Sequence, residues 1–217
     1  VGYGNNAGGV ASSAFGFSNV AKVDYASAFG YSNEASGLAS SAVGFRNKAA
    51  SENASAVGYG NNANALAASA VGYNNTAGGV GSSTIGYNNT ATNENASAFG
   101  YGNTAGGLAS SAFGFSNTAS GDNANAFGYN NIASGSKSNV FGTGNTVSGS
   151  SSTAVGTANE VAAENSTAIG NNNTISSGAE NSAALGNNIS ISLKDSVALG
   201  NNSTATAINS VTGNSSY

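Results

Sequence analysis

The sequence has no histidine, cysteine, proline, methionine or tryptophan, and only 14 of its 217 residues are charged. Each absence removes a class of function. Without His or Cys there is no nucleophilic triad, no disulfide framework and none of the usual zinc ligand sets. Solenoid glycosidases and lyases work with clustered carboxylates instead. The close acidic pairs here are Glu160 with Glu164 and, at best, Asp24 with Glu34. Three Asp residues cannot supply the regular acid ladder of a calcium-binding roll. The chain is therefore expected to be no enzyme and to carry no metal or cofactor. Five Lys and Arg within a net charge of −4 build no phosphate-binding surface, so no nucleic-acid partner is expected. No signal peptide or transmembrane run is visible, and the chain opens mid-repeat at Val1 and Gly2. It reads as a fragment whose export signal and membrane anchor lie outside it.

A charged share of 6%, against about 25% in an ordinary globular domain, would suit a flexible Gly/Ser/Asn-rich linker. The 18 Phe and Tyr residues argue otherwise. So does the spacing. Gly stands at 2, 16, 30, 44, 58, 72, 86, 100, 114, 128, 142, 156 and 170, then at 186 and 200, so one sixteen-residue step interrupts a run of fourteens. Residues 1–33 also match 99–131 at 24 of 33 positions. A period kept this strictly marks a solenoid.

Numbering each repeat from its marker Gly makes the columns plain. The residue before Gly is always Val, Phe, Ile or Leu, and the residue two before is small, nearly always Ala (Ala14, Ala28, Ala42). The residue after Gly is aromatic through Tyr129, the third is Asn through Asn173, and the fifth is Ala or β-branched. All 14 charges fall at columns two, four, six, eight or nine, and none in the Ser-Ala-φ-Gly-φ core. Such a coil holds two short strands and two turns, with alternating side-chain direction. Ala14, Gly16 and the column-five Ala are expected to fill the inside. Asn at column three is expected to hydrogen-bond coil to coil and to supply the left-handed backbone of one turn. The Gly-rich columns six and seven suit the other. The absence of Pro leaves the ladder unbroken.

The bulky columns must then point outward. They comprise Phe15, Phe17, Phe29, Tyr31, Val43, Phe45, Val57, Tyr59, Val71, Tyr73, Ile85, Tyr87, Phe99, Tyr101, Phe113, Phe115, Phe127 and Tyr129. An apolar stripe of this extent needs a partner, and a parallel homo-oligomer covers every coil alike. From Gly142 onward Thr143, Thr157 and Asn171 replace the aromatic, while column five grows to Val147, Val161, Ile175 and Ile191. Residues 1–141 and 142–217 are thus two coil subtypes of a single solenoid, 1–217.

Ser-Thr-Ala-Ile-Gly at 166–170, Asn-Ser-Ala-Ala-Leu-Gly at 181–186 and Asp-Ser-Val-Ala-Leu-Gly at 195–200 resemble the head repeat of YadA-like trimeric autotransporter adhesins. The resemblance covers essentially the whole chain. It implies an all-β, left-handed parallel β-roll, a homotrimer with the bulky columns at its interface, and a location on the surface of a Gram-negative bacterium. It also implies a neck, stalk and outer-membrane anchor further along. Two departures stand out: aromatics flank the early marker glycines, and no neck motif is recognisable in Ala207-Ile208-Asn209-Ser210-Val211. The function implied is attachment to a host glycoprotein, such as a carcinoembryonic-antigen-related receptor, or to collagen or fibronectin. A structural spacer without ligand and an ice-binding solenoid are the alternatives; the column-four Thr residues (Thr76, Thr90, Thr104, Thr118) form only a short run for the latter.

Column eight mixes Asp24, Glu52, Glu94 and Asp122 with Val10, Leu38, Leu66, Val80 and Leu108. Those five aliphatics either dock a receptor or cover the edge of a neighbouring protomer, and the second reading is preferred. Asn-x-Ser/Thr triplets recur (Asn74-Asn75-Thr76, Asn88-Asn89-Thr90), but the repeat itself generates them, and they carry little weight as glycosylation signals.

Overall fold

Small residues in two columns and an amide in a third allow a coil of very narrow cross-section. The computed structural model, which describes residues 2–206, is built of such coils: an all-β parallel solenoid of about fifteen turns. A typical coil has a five-residue strand, Ser13–Phe17, one bend, a two-residue strand, Val20–Ala21, and a second turn. Long strands pair in parallel with long strands (Ser13 with Ser27, Phe15 with Phe29), and short with short (Val20 with Glu34). Two compact units are distinguished, Val1–Ala109 and Ser110–Tyr217, and each is built this way.

The interior follows the columns that never admit charge. Ala28, Ala42, Ala56 and Ala70, two before the marker Gly, are wholly buried, as are Ala21, Ala35, Ala49 and Ala63 at column five. Column ten, with Ala26, Ser40, Ala54 and Ala68, is buried as well. In the second unit Val147, Val161, Ile175 and Ile191 are all 0% exposed, so the added apolar volume lies inside the coil. Deleting it leaves a cavity that two facing backbones cannot close. Ile175→Ala is expected to cost about 3 kcal/mol, read from the urea midpoint; wild-type stability would place column five outside.

The marker Gly differs from expectation. It is not interior filler: Gly16 is only half-buried, and its φ is +117°. A Cβ built on it would lie 2.1 Å from the carbonyl oxygen of Gly30 in the next coil. Backbone approach, along with a dihedral that L-residues avoid, demands glycine here.

The turns also differ. Asn at column three is not left-handed. Those conformations fall at column two (Ser18, Arg46, Asn74) and column nine (Tyr25, Ala39, Asn53), all with φ between 54 and 59°. Gly9, Gly37 and Gly79 at column seven do not have positive φ; a Cβ there would run into the backbone of the next coil. Other coils carry Val23, Ser51 or Ala65 at that place.

The sixteen-residue step leaves both ladders in register, since Thr167 pairs with Ala183 and Ile175 with Ile191. Its two extra residues therefore sit in the turn between Ile175 and Ala183, where Gly178 faces open space. The Ala207–Val211 stretch without a neck motif lies outside the described residues.

Candidate functional site

Two kinds of ladder run from coil to coil, and each begins with one class of residue repeated in one column. The first is internal. Asn33 Nδ2 donates to Asn19 Oδ1 at 2.9 Å, to the Phe29 carbonyl at 2.9 Å and to the Gly44 carbonyl at 2.7 Å. The Asn33 backbone N–H also donates to Asn19 Oδ1, at 3.0 Å. The pattern repeats through Asn47, Asn61, Asn75 and Asn89, and in the second unit through Asn131, Asn145, Asn159 and Asn173. The amide ladder expected from column three is thus present, buried and saturated with partners. At column ten a serine ladder joins it: Ser166 N–H donates to Ser152 Oγ, Ser182 N–H to Ser166 Oγ, and Ser196 N–H to Ser182 Oγ, all within 3.1 Å. Sequence reasoning missed this ladder, although Ser recurring at column ten (Ser152, Ser166, Ser182, Ser196) was its signal.

The second kind is aromatic and outward. From Tyr31 through Phe45, Tyr59, Tyr73 and Tyr87 to Tyr101, successive rings lie 4.8 Å apart with planes within 7° of parallel. That distance is the spacing of paired strands, so in-register pairing imposes it. Parallel rings so spaced stack offset, each pair contributing about 0.5–1.5 kcal/mol to coil association. Their faces cover one another and their edges face outward, which removes the flat ring platform a sugar would stack on. The Arg46 guanidinium lies over the Phe45 ring, 5.1 Å from its centre. In the second unit Phe115 stacks on Tyr129 at 5.2 Å, and one column over Phe113, Phe127 and Phe141 stack at 5.0 and 5.3 Å. Beyond Gly142 the aromatic column passes through Thr143 and Thr157 and from Asn171 becomes an amide ladder, with Asn171 donating to Asn187 and Asn187 to Asn201.

None of the bulky residues assigned to a partner face is fully buried in the protomer. Phe15, Phe17, Phe29, Tyr31, Val43, Val57, Tyr59, Tyr73, Ile85, Tyr87, Tyr101, Phe115 and Tyr129 are exposed, while Phe45, Val71, Phe99, Phe113 and Phe127 are half-buried. They share one element, the long strand, on either side of the marker Gly.

Column eight lies elsewhere, in the second turn. Val10 is 68% exposed, and Leu38, Leu66 and Leu108 are 44% exposed, with Val80 at 45%. The Asp24 carboxylate accepts the Val10 N–H at 2.7 Å, and acids and aliphatics share this exposed edge. An exposed ion pair joins Lys22 to Glu34 at 3.4 Å. Among the described residues no three acids gather as a metal site.

No curated protein matches the chain. The YadA head domain repeat does match it, at residues 7–33, 35–61, 77–103, 105–131, 148–173 and 194–211. Six matches in phase with the coils cover well over half of the sequence, and the chain belongs to the YadA head-domain family, the repeat-built heads of trimeric autotransporter adhesins.

Proposed function

We propose that this chain is the head of a surface adhesin of a Gram-negative bacterium, working as a parallel homotrimer that attaches to host cells or matrix. The uncovered apolar ladders on both sides of the marker Gly carry this reading. Contiguous apolar surface of that extent is rare on a soluble monomer. A stripe repeated in every coil is covered most simply by copies of itself around an axis along the coils. The 18 bulky residues from Phe15 to Tyr129 form that interface. Residues 1–141 and 142–217 serve as two coil subtypes of one head.

Attachment is assigned to the remaining outward surface. Its candidate ligands are a host cell-surface glycoprotein, such as a carcinoembryonic-antigen-related receptor, and matrix proteins such as collagen or fibronectin. Three protomers bearing many equivalent coils turn weak contacts into avidity.

One pair of measurements tests both parts. Sedimentation of the isolated head is expected to give a trimer, and that trimer is expected to bind at least one of these ligands. Leu38→Asp combined with Leu66→Asp then assigns column eight. Loss of binding by an intact trimer makes it the receptor edge, and dissociation makes it part of the interface. A wild-type monomer would sink the partner face; a trimer that binds none of the ligands would mark a spacer.

A further inference from the structure

We propose that the exposed asparagines in the left-handed turns are glycan attachment sites that take a hexose on Nδ2 from a nucleotide-activated sugar. Asn-x-Ser/Thr triplets are a by-product of the repeat, yet the coil sorts them. Nine begin among the described residues. In five, the acceptor lies two positions after a marker Gly: Asn74, Asn88, Asn172, Asn188 and Asn202. In three it lies at column nine: Asn53, Asn95 and Asn165. All eight are exposed and all eight have φ between 53 and 56°. Surface turns with the side chain outward are where a bulky polar modification fits.

The buried ladder asparagines are excluded by the same geometry. The residue two beyond each lies at column five, inside the coil, where only Ala, Val or Ile stands (Ala77, Ala91, Val161). They can never head a triplet. From columns two and nine the same step reaches columns four and eleven, where hydroxyls are half-exposed or exposed: Thr76, Thr90, Thr174 and Ser190 after column two, Ser55 and Ser97 after column nine.

The ninth triplet is the internal control. Asn201 lies in a strand, and its Ser203 is 2% exposed with Oγ donating to the Leu199 carbonyl at 2.6 Å. A transferase cannot engage that hydroxyl in the folded chain.

The chemistry needs one co-reactant and a transferase. The Nδ2 nitrogen attacks the anomeric carbon of the sugar, and a C–N bond forms. The C–O bond to the nucleoside diphosphate breaks, its electron pair leaves with the diphosphate, and one amide proton passes to a base on the transferase. The folded turns accommodate the product. Asn74 Nδ2 donates to Asn88 Oδ1 at 3.3 Å and Asn172 Nδ2 to Asn188 Oδ1 at 2.8 Å. Each bond uses one of two amide hydrogens, so the other is free to be replaced. The sugars would occupy the turns and leave the long-strand ladders bare.

The test is mass mapping of the full chain isolated from its native cells, denatured and cut with chymotrypsin, which cleaves beside the aromatic columns. A hexose mass is expected on Asn74 or Asn88 and on other turn acceptors, and none on Asn75, Asn89 or Asn201. Thr76→Val with Thr90→Val is expected to remove it from Asn74 and Asn88 while sugar persists at Asn165 and Asn172 of the same molecules. Thr76→Ser with Thr90→Ser should retain it. Unmodified turn acceptors, sugar on Asn201 or on the ladder, or modification surviving the valine pair would each overturn the proposal. Receptor binding is not the readout, so this result stands apart from the adhesin reading.

Discussion

Gly72→Ala is expected to abolish the folded state under conditions where the wild-type chain is fully folded. Two independent obstacles meet at this position. Its φ of +119° lies where an L side chain is strained, and the added Cβ would lie 2.1 Å from the Gly86 carbonyl oxygen and 3.0 Å from its carbon. The obstructing atoms are backbone, so no side chain can turn aside. Separating the coils enough to admit a methyl group would break the strand pairing of Ser69–Tyr73 with Ser83–Tyr87, along with the bond from Asn75 Nδ2 to that same carbonyl. The cost should be at least about 4 kcal/mol, in the range reserved for failures of backbone and buried networks. Because each coil leans mainly on its neighbours, amide exchange protection should fail first on either side of Gly72. Gly178→Ala is the control: no atom lies within 4 Å of its Cβ, φ is unexceptional, and a change within about 0.5 kcal/mol is expected. Equal thermal midpoints for the two variants would refute the close-approach argument.

Asn75→Leu carries the second largest expected effect. Leucine has the same branching and none of the bonds, and its two methyl groups are bulkier than the amide. Asn75 Nδ2 serves Asn61 Oδ1, the Val71 carbonyl and the Gly86 carbonyl, all within 3.0 Å, and its Oδ1 accepts the Asn89 N–H at 2.9 Å. At least two buried backbone groups would lose partners, at about 1–3 kcal/mol each, so a loss of about 4 kcal/mol is expected in urea unfolding. Ile189 shows where an apolar residue is tolerated. It ends the ladder, and its own N–H still reaches Asn173 Oδ1 at 3.0 Å. Asn75→Asp sharpens the test. A carboxylate would face three acceptor oxygens in a buried site, so its penalty should be smallest in acid, where the group is neutral. It should then grow as pH rises through the carboxylate range. A pH-independent loss would show that the amide fills space rather than bonds.

Much of this was readable in the sequence, for a physical reason. A charge cannot enter a narrow dry coil, so the columns that accept Asp, Glu, Lys or Arg map the wet side, and Ala28 and Ala21 follow as interior. The fourteen-residue spacing of Tyr59, Tyr73 and Tyr87 contained the ring stack, given in-register pairing. The backbone signs were not readable. Left-handed positions hold Tyr25, Ala39, Arg46 and Lys137, residues that carry no signature for that conformation. Tertiary bonding overrides their preference: the Arg46 N–H donates to the Tyr31 carbonyl and the Ser18 N–H to the Tyr3 carbonyl, each at 2.9 Å, one coil back. Those bonds offset the roughly 1–2 kcal/mol that a left-handed residue costs. The role of the marker Gly escaped for a related reason: what it avoids is the backbone of the next coil.

The coil-to-coil bonds also bear on how the molecule ages. An asparagine degrades when the backbone nitrogen of the following residue attacks its side-chain carbonyl, most readily when that residue is glycine. This chain, rich in both, has no Asn-Gly step. Beyond Asn75 that nitrogen belongs to Thr76 and donates to the Asn89 carbonyl at 2.9 Å; beyond Asn74 it belongs to Asn75 and donates to Asn61 Oδ1 at 3.0 Å. In the other turn, beyond Asn53, the Ala54 nitrogen donates to the Ser51 carbonyl at 3.1 Å. These backbone bonds therefore withhold the nucleophile from asparagines of the ladder and of both turns. A surface so dense in amides is expected to keep its charge through long storage in warm buffer while folded, and to acquire aspartate quickly once unfolded.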